Sequence, residues 1–332
     1  MSWLPIALKG LAVSALVAAL IPPALILSAR PLPDPRAADG PGIVFDPGTA
    51  LAPLPELQTF TARDGARLGY RRWDSGAEEA ALLVMVHGSG WHGAQFARLA
   101  ARIAEGGHAD VVAPDLRGHG PDPVRRGDID HIGQLEEDLA DLVAATRGAA
   151  REVVMLGHSS GGGLVVRLAG GAHAAVMDRA VLLAPYLGHN APTTRPDSGG
   201  WARPLVRRII GLTMLDMVGI TAFHHLTSVQ FLFPSAVLDG PLGDTATRAY
   251  SFRLMTSFAP RNDFATNIAG LPPFLLLAGE GDEAFIPTGY APLMSGISDR
   301  GRYELIPGAG HLGIVDHAGT AAAIIDFLAP NP

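Results

Sequence analysis

The sequence predicts an α/β fold in which a mostly parallel, doubly wound sheet carries helices on both faces. Two observations lead to this prediction. First, apolar segments typical of buried strands alternate with segments of helical periodicity along most of the 332 residues. Second, the apolar run Val153 to Leu156 ends in a Gly-x-Ser-x-Gly turn, Gly157 to Gly161, that leads into a helix. A strand, turn and helix in this order are typical of a nucleophile elbow, which holds a serine clear of the sheet.

The individual elements follow from local patterns. Asp64-Gly65 is a strong hairpin signal, so we expect an antiparallel pair, Leu57 to Thr61 and Arg67 to Trp73, to open the globular part. Later in the chain, apolar runs predict strands and helical periodicity predicts helices. The expected strands lie near 81–86, 110–114, 152–157, 180–184, 274–278 and 302–306, and the expected helices near 94–105, 134–147, 160–169, 290–297 and 319–328.

The alternation stops between Pro185 and about Ala269, where Pro and Gly separate segments dense in Phe, Leu, Met and Arg. We interpret this region, about 186–269, as an inserted helical cap. The chain is thereby predicted to have three parts. These are an N-terminal membrane anchor or signal segment (1–30), a Pro/Gly-rich linker (31–55) that tethers the domain without packing on it, and the globular domain (56–330).

Composition excludes several classes of function. The net charge of −7 and the pI near 5.9 argue against nucleic acid as a partner, because that affinity depends largely on Lys and Arg. The chain has no cysteine, which excludes disulfides, thiolate metal sites and a Cys nucleophile. No His-Glu-x-x-His motif occurs, which argues against a catalytic metal. We also expect no cofactor.

The N-terminal segment carries no charged residue from Leu11 to Ala29, a length that spans about 30 Å as a helix. An uncleaved membrane anchor is favoured over a cleaved secretory signal, since no clear cleavage site follows, and over a helix of the soluble domain. With an anchor, we expect the catalytic domain outside the cytoplasm. With a signal, the protein would be secreted.

Ser159, in the Gly-x-Ser-x-Gly turn, is the candidate nucleophile, with the backbone N–H of Ser160 available to an oxyanion. A serine hydroxyl needs a histidine to take its proton and a carboxylate to orient that histidine. On a doubly wound sheet both should follow late strands, because the loops at the carboxyl ends of the strands share one crevice. His311 follows the last strand, with His317 as its competitor.

The carboxylate should end the preceding strand, where Asp282 stands between Glu280 and Glu283. Asp282 fits the short Gly-x-x-Asp loop best, although either glutamate is an alternative. A dinucleotide site is a competing interpretation, because Gly88 to Gly93 matches G-x-G-x-x-G after a strand, with Asp115 further on. That interpretation leaves the elbow, Asp282 and His311 without roles.

Several motifs together resemble the α/β-hydrolase superfamily. They are Gly157-His-Ser-Ser-Gly161, His87-Gly-Ser-Gly90, Asp115-Leu-Arg-Gly-His-Gly120, Gly279-Glu-Gly-Asp282 and Gly310-His311. The sequence is most similar to the lysophospholipase, monoacylglycerol lipase and serine aminopeptidase-like branch, over roughly residues 57–328. It departs from the lipase-like pattern after Gly120, where Pro and Asp replace a small hydroxylated residue.

The resemblance implies an α/β-hydrolase fold with Ser159 as nucleophile, His311 as base and Asp282 as its orienter. It also implies an oxyanion hole formed by the backbone N–H groups of Ser89 and Ser160, and a structural role for His87. The expected activity is cleavage of a carboxylic ester with an apolar acyl group, from a small-molecule or lipid substrate. A serine aminopeptidase of the proline-iminopeptidase kind and a catalytically silent, membrane-tethered binding module are the alternatives. The oligomeric state stays open.

Overall fold

A computed structural model describes residues 19–36, 53–195 and 199–329, together with residues 14, 17 and 43. Its elements alternate as the sequence predicts. The strands are β1 Gln58–Thr61, β2 Arg67–Trp73, β3 Ala81–Val86, β4 Ala109–Pro114, β5 Val153–His158, β6 Arg179–Leu183, β7 Ala202–Pro204, β8 Thr227–Phe231, β9 Ala249–Ser251, β10 Phe274–Gly279 and β11 Gly301–Ile306. The helices are α1 (19–28), α2 Ala97–Glu105, α3 Gln134–Thr146, α4 Ser160–Ala169, α5 Val206–Asp216, α6 Ser235–Leu238, α7 Phe252–Phe258, α8 Phe264–Ala269, α9 Tyr290–Ser295 and α10 Ala318–Leu328.

The main sheet has eight strands in the order β1-β2-β4-β3-β5-β6-β10-β11. The hairpin β1–β2 and the pair β2–β4 are antiparallel, and all other neighbours are parallel. The predicted fold class is therefore confirmed. Because β5, β10 and β11 run in the same direction, the loops that follow them meet at one edge of the sheet.

Two apolar cores lie on opposite faces of this sheet. Strand β3 shows why: Leu82 and Val84 belong to one core and Leu83 and Met85 to the other, since successive side chains of a strand point to opposite faces. Helices α3 and α4 contribute to the first core, and α2 and α10 to the second. Each fully buried Leu or Val stabilises the fold by about 1.5–3 kcal/mol relative to its exposed state.

The insertion is not purely helical, which corrects the prediction of a helical cap. Strands β7, β8 and β9 form a separate antiparallel sheet within it, and helices α5 and α7 pack against that sheet. These strands have only three to five residues. Such short strands leave almost no alternation in the sequence, and helical segments separate them.

The start of the predicted linker packs on the insertion, which corrects the expectation of a free tether. The side-chain amide of Gln230 accepts a hydrogen bond from the N–H of Leu32 and donates one to its carbonyl, both at 2.8 Å. Arg248 donates to the carbonyl of Pro35 at 2.7 Å and pairs with Asp34. Most of the remaining linker lies outside the described residues, as does most of the predicted anchor before α1. In the described part of the chain, none of the helices has the length and apolarity needed to cross a bilayer.

Candidate active site

Ser159 lies at a sharp turn between β5 and α4. Its backbone has φ 55° and ψ −121°, a conformation that residues other than glycine rarely adopt. Three backbone hydrogen bonds hold the turn: Ser159 N–H donates to the Leu183 carbonyl at 2.9 Å, and its own carbonyl accepts from Gly163 and Tyr186. The strained residue is thus fixed from both sides and exposes its hydroxyl beyond the end of the strand.

The two glycines of the turn are required by close packing. A Cβ atom on Gly157 would lie 2.4 Å from the Gly161 carbonyl oxygen, and one on Gly161 would lie 2.3 Å from the Val86 carbonyl oxygen. Both distances are shorter than any real van der Waals contact, and the obstructing atoms belong to the backbone. The Gly-x-Ser-x-Gly pattern therefore reflects the close approach of α4 to β3 and β5.

Ser159, His311 and Asp282 form a continuous hydrogen-bonded chain. His311 Nε2 lies 3.0 Å from Ser159 Oγ, and His311 Nδ1 lies 2.9 Å from Asp282 Oδ2. His311 and Asp282 are each only 2% exposed, in the loops after β11 and β10. The structure thus brings together the three side chains that the sequence predicted to react.

Asp282 remains an ionised acceptor despite its burial. Burial raises the pKa of this carboxyl, but the hydrogen bond from His311 and those from the N–H groups of Phe285 and Ala284 outweigh it, so the net pKa is lowered. Those two N–H groups donate to Asp282 Oδ1 at 2.7 and 2.8 Å. Since the carboxylate only accepts, His311 carries its proton on Nδ1 and presents the Nε2 lone pair to Ser159.

The alternative candidates for the carboxylate and the base make different contacts. Glu283 accepts a 2.6 Å hydrogen bond from the backbone N–H of His311. It therefore binds the backbone of the loop after β11, whereas Asp282 binds the imidazole ring of His311. Glu280 is exposed. His317 caps helix α10, because its Nδ1 accepts from the N–H of Gly319 at 3.1 Å. None of these three makes the contacts of Asp282 or His311.

Ser89 and Ser160, expected to form the oxyanion hole, lie side by side. Ser160 is the first residue of α4, Ser89 lies in the loop after β3, and their hydroxyl groups are 2.9 Å apart. This loop passes close to Ser159, because a Cβ atom on Gly88 would lie 3.3 Å from Cβ of Ser159. Helix N-termini and such loops offer backbone N–H groups to an anion.

A hydrogen-bonded relay that the sequence did not reveal connects this loop to His311. Burial lowers the pKa of His158 to about 3, so its imidazole is neutral. Gln95 donates to His158 Nδ1 at 3.2 Å, and His158 Nε2 therefore donates to the His311 carbonyl at 2.9 Å. The Gln95 carbonyl oxygen accepts from the N–H of Gly88 at 3.4 Å. In the sequence, only the position of His158 directly before Ser159 indicates that it lies near the site.

A second relay joins the loop after β3 to the insertion. The Tyr250 hydroxyl accepts from the N–H of Gly90 and lies 2.7 Å from His119 Nε2. Burial places the pKa of His119 well below its ordinary value, and its Nδ1 lies 3.1 Å from the Arg117 carbonyl. Nδ1 must therefore carry the proton, which leaves Nε2 to accept from Tyr250. The loop that carries Ser89 is thus held by a residue of strand β9.

His87 has the structural role expected of it. Its Nδ1 donates to the carbonyl of Gly88 at 2.9 Å, and its Nε2 accepts from the N–H of Leu116 at 3.1 Å. Burial lowers its pKa to about 4. Asp115, which a dinucleotide site would need for the ribose, instead pairs with buried Arg71 and accepts from the N–H of Gly93.

A cavity of about 1150 Å³ opens beside Ser159 and His311. One part of its wall is apolar, and the part near the loop after β11 is polar. Of the aromatic residues of the insertion, Trp201 and Phe233 line the cavity, whereas Phe231, Phe252 and Phe258 are buried elsewhere. The apolar wall includes Trp91, Trp201, Phe233, Val237 and Leu242, and the polar part includes Arg98, Glu283, Asp316 and His317. Among the described residues, no group of acidic and His side chains could hold a metal ion.

The sheet order, the elbow and the arrangement around Ser159 define this protein as an α/β-hydrolase. The model of the family described as "Serine aminopeptidase, S33" matches residues 77–318. Because this match covers most of the chain, the protein belongs to that family and is a hydrolytic enzyme. The resemblance inferred from the motifs is confirmed.

The curated relatives match only part of this chain. Protein phosphatase methylesterase 1 from Bos taurus is 28% identical over 199 residues, which are 58% of this chain and 43% of the relative. A monoacylglycerol lipase from Mycolicibacterium smegmatis is 31% identical over 109 residues, which are 32% of this chain and 39% of the relative. The chain thus spans less than half the length of either relative.

Solved structures share the fold. A soluble variant of monoglyceride lipase from Saccharomyces cerevisiae has a TM-score of 0.63 at 19% sequence identity, and the match covers 85% of this chain and 97% of that chain. At this level of identity the similarity concerns the fold alone.

Proposed function

We propose that the protein is a serine hydrolase that cleaves a carboxylic ester with an apolar acyl group through an acyl-enzyme. The observation that carries this proposal is the hydrogen-bonded chain from Asp282 through His311 to Ser159, placed at the wall of a large cavity. A methylesterase and a monoacylglycerol lipase among the relatives favour an ester as the substrate. The apolar wall with Trp201 and Phe233 favours an apolar acyl chain.

In the acylation step, Ser159 Oγ bonds to the ester carbonyl carbon while His311 Nε2 takes the hydroxyl proton. The electron pair of the carbonyl moves onto its oxygen, where the N–H groups of Ser89 and Ser160 would stabilise it by roughly 3 kcal/mol each. The bond from carbon to the alcohol oxygen then breaks, and His311 returns the proton to that oxygen. Asp282 keeps the ring in the required tautomer throughout.

In the deacylation step, water attacks the acyl carbon and His311 takes its proton. The bond to Ser159 Oγ breaks, the serine recovers its proton from His311, and the carboxylic acid leaves. The overall reaction consumes one water and requires no cofactor.

A series of p-nitrophenyl esters of increasing acyl length tests this proposal. We expect turnover to rise with acyl length until the apolar wall is filled, and Ser159→Ala to reduce kcat by at least about three orders of magnitude. Ser295→Ala is the matched control, because this serine is exposed at the end of α9, and it should behave as wild type. Full esterase activity in Ser159→Ala would refute the assignment.

Aminopeptidase activity is the second candidate. The family description and two carboxylates at the polar part of the cavity, Glu283 and Asp316, favour it, since carboxylates bind an α-amino group. The rates at which one preparation cleaves aminoacyl-arylamides and acyl esters distinguish aminopeptidase from esterase activity. Efficient arylamide cleavage with poor cleavage of esters of every length would establish the aminopeptidase.

A further inference from the structure

Exposed large apolar side chains are concentrated on one part of the surface. Of the fourteen found in the described part of the chain, ten lie in the N-terminal helical segment or in the stretch from the start of α5 to residue 223. We call these ten residues the apolar face. They are Val17, Leu20, Ile21, Leu27, Val206, Ile210, Met217, Val218, Ile220 and Phe223. Most soluble proteins do not expose contiguous apolar patches of this kind without a binding partner.

The two segments of the apolar face are packed together. Ile26 of α1 is buried in a cluster with Leu212 of α5 and Phe252 of α7. The contact is close, because a Cβ atom on Gly211 would lie 2.8 Å from both Cγ1 of Ile26 and the Pro22 carbonyl oxygen. The inner side of α1 is therefore occupied by the insertion, and Leu20, Ile21 and Leu27 of α1 remain exposed beside α5.

The charges around this face differ in sign from those of the whole protein. Within residues 17–30 and 203–223 there are four arginines (Arg30, Arg203, Arg207 and Arg208) and one acidic residue, Asp216, whereas the chain carries a net charge of −7. Arg30 and Arg207 are exposed. An apolar surface bordered by arginines suits an anionic lipid surface. A second copy of the chain fits less well, since it would bring the two sets of arginines together.

We propose that the apolar face is a lipid-docking surface on which α1 and the stretch from α5 to Phe223 rest together at a bilayer containing anionic lipids. The inference concerns the insertion, and so it goes beyond both the proposed chemistry and the predicted N-terminal anchor. Trp201, which lines the cavity, lies five residues before the start of α5. Docking through this face places the insertion, and not the opposite end of the sheet, against the membrane.

Single-cysteine labelling tests this proposal directly, because the chain has no cysteine of its own. The full-length variants Met217→Cys and Phe223→Cys place an environment-sensitive fluorophore on the apolar face. Val124→Cys and Leu305→Cys are matched controls, since both residues are exposed and apolar but belong to a different loop and to strand β11. The labelled proteins are mixed with vesicles of phosphatidylcholine and phosphatidylglycerol that carry a lipid-bound quencher.

We expect emission from residues 217 and 223 to shift to the blue and to be quenched, while residues 124 and 305 show neither change. Absence of quenching at 217 and 223, or equal quenching at all four positions, would overturn the proposal. Protein-concentration-dependent crosslinking through 217 without a lipid effect would also overturn it and would identify a second copy as the occupant. Because lipid contact is measured and not turnover, failure here is independent of the proposed ester hydrolysis.

Discussion

His158 connects the two sides of the candidate active site, although its side chain takes no part in the hydrogen bond between Ser159 and His311. Its Nε2 donates to the carbonyl of His311, and Gln95 links its other nitrogen to the N–H of Gly88. A displacement of one reacting group by about 1 Å can lower the rate of an enzyme about a hundredfold. We therefore infer that His158 is a positioning residue for His311.

Replacing His158 by Leu removes the donor to the His311 carbonyl, so we expect kcat to fall about 10- to 100-fold with little change in KM. His158→Gln should recover part of the activity, because its amide can donate to the same carbonyl. Steady-state kinetics on a p-nitrophenyl ester measure both variants. Wild-type kcat in His158→Leu, or no recovery by Gln in a folded protein, would show that His158 does not position the base.

Strand β9 of the insertion reaches into the candidate active site through one side chain. Tyr250 is 2% exposed, and its hydroxyl bridges Gly90 and His119. Thr247 adds a backbone hydrogen bond to the carbonyl of Gly90 at 2.8 Å. The insertion thus helps to shape the loop that carries Ser89, in addition to covering the cavity.

Tyr250→Phe leaves the buried N–H of Gly90 without its acceptor, which we expect to cost about 1–3 kcal/mol of unfolding free energy. The same change should lower kcat about tenfold or more, because the loop that carries Ser89, a proposed oxyanion donor, loses one of its hydrogen bonds. Urea unfolding and ester kinetics measure the two effects. Tyr70→Phe is the control, since its hydroxyl donates to Gln58 at an exposed site. Equal behaviour of the two variants would contradict this role of Tyr250.

Sequence patterns predicted some parts of this protein far better than others. Ser159, Asp282 and His311 could be found because each stands in a motif at the end of an apolar strand, and parallel strands bring their ends together. Gln95 and Tyr250 are single polar residues outside any motif. His158 lies within a motif, but the motif does not reveal its partner, because His311 is 153 residues away in the chain. The small sheet of the insertion was missed for a related reason, because its strands pair across long separations and are too short to show alternation.

The whole molecule contains several buried, neutral histidines, and this makes its stability depend on pH. Burial lowers the pKa of His87 to about 4, and burial is also the main reason why the pKa values of His92 and His158 fall to about 3. In the unfolded chain these groups titrate near 6.5, so below that pH the unfolded state binds protons that the folded state does not. Stability is therefore lost as the pH falls from about 6.5 towards the folded pKa values.

Between pH 7 and 5.5 we expect each of these three histidines to reduce the free energy of unfolding by on the order of 1 kcal/mol. Asp282 does not contribute in this range, because its lowered pKa makes its stabilisation disappear only at more acidic pH. Urea unfolding at the two pH values and constant ionic strength measures the difference. An unchanged urea midpoint would mean that the histidines are charged or accessible in the folded protein.

Reaction with a fluorophosphonate, followed by mapping of the modified peptide, tests the central claim most directly, because the reagent modifies a serine only when a base activates it. We predict a single adduct on Ser159 in the wild-type protein and none in His311→Gln. No adduct in a folded preparation, or an adduct on a different serine, would contradict the account.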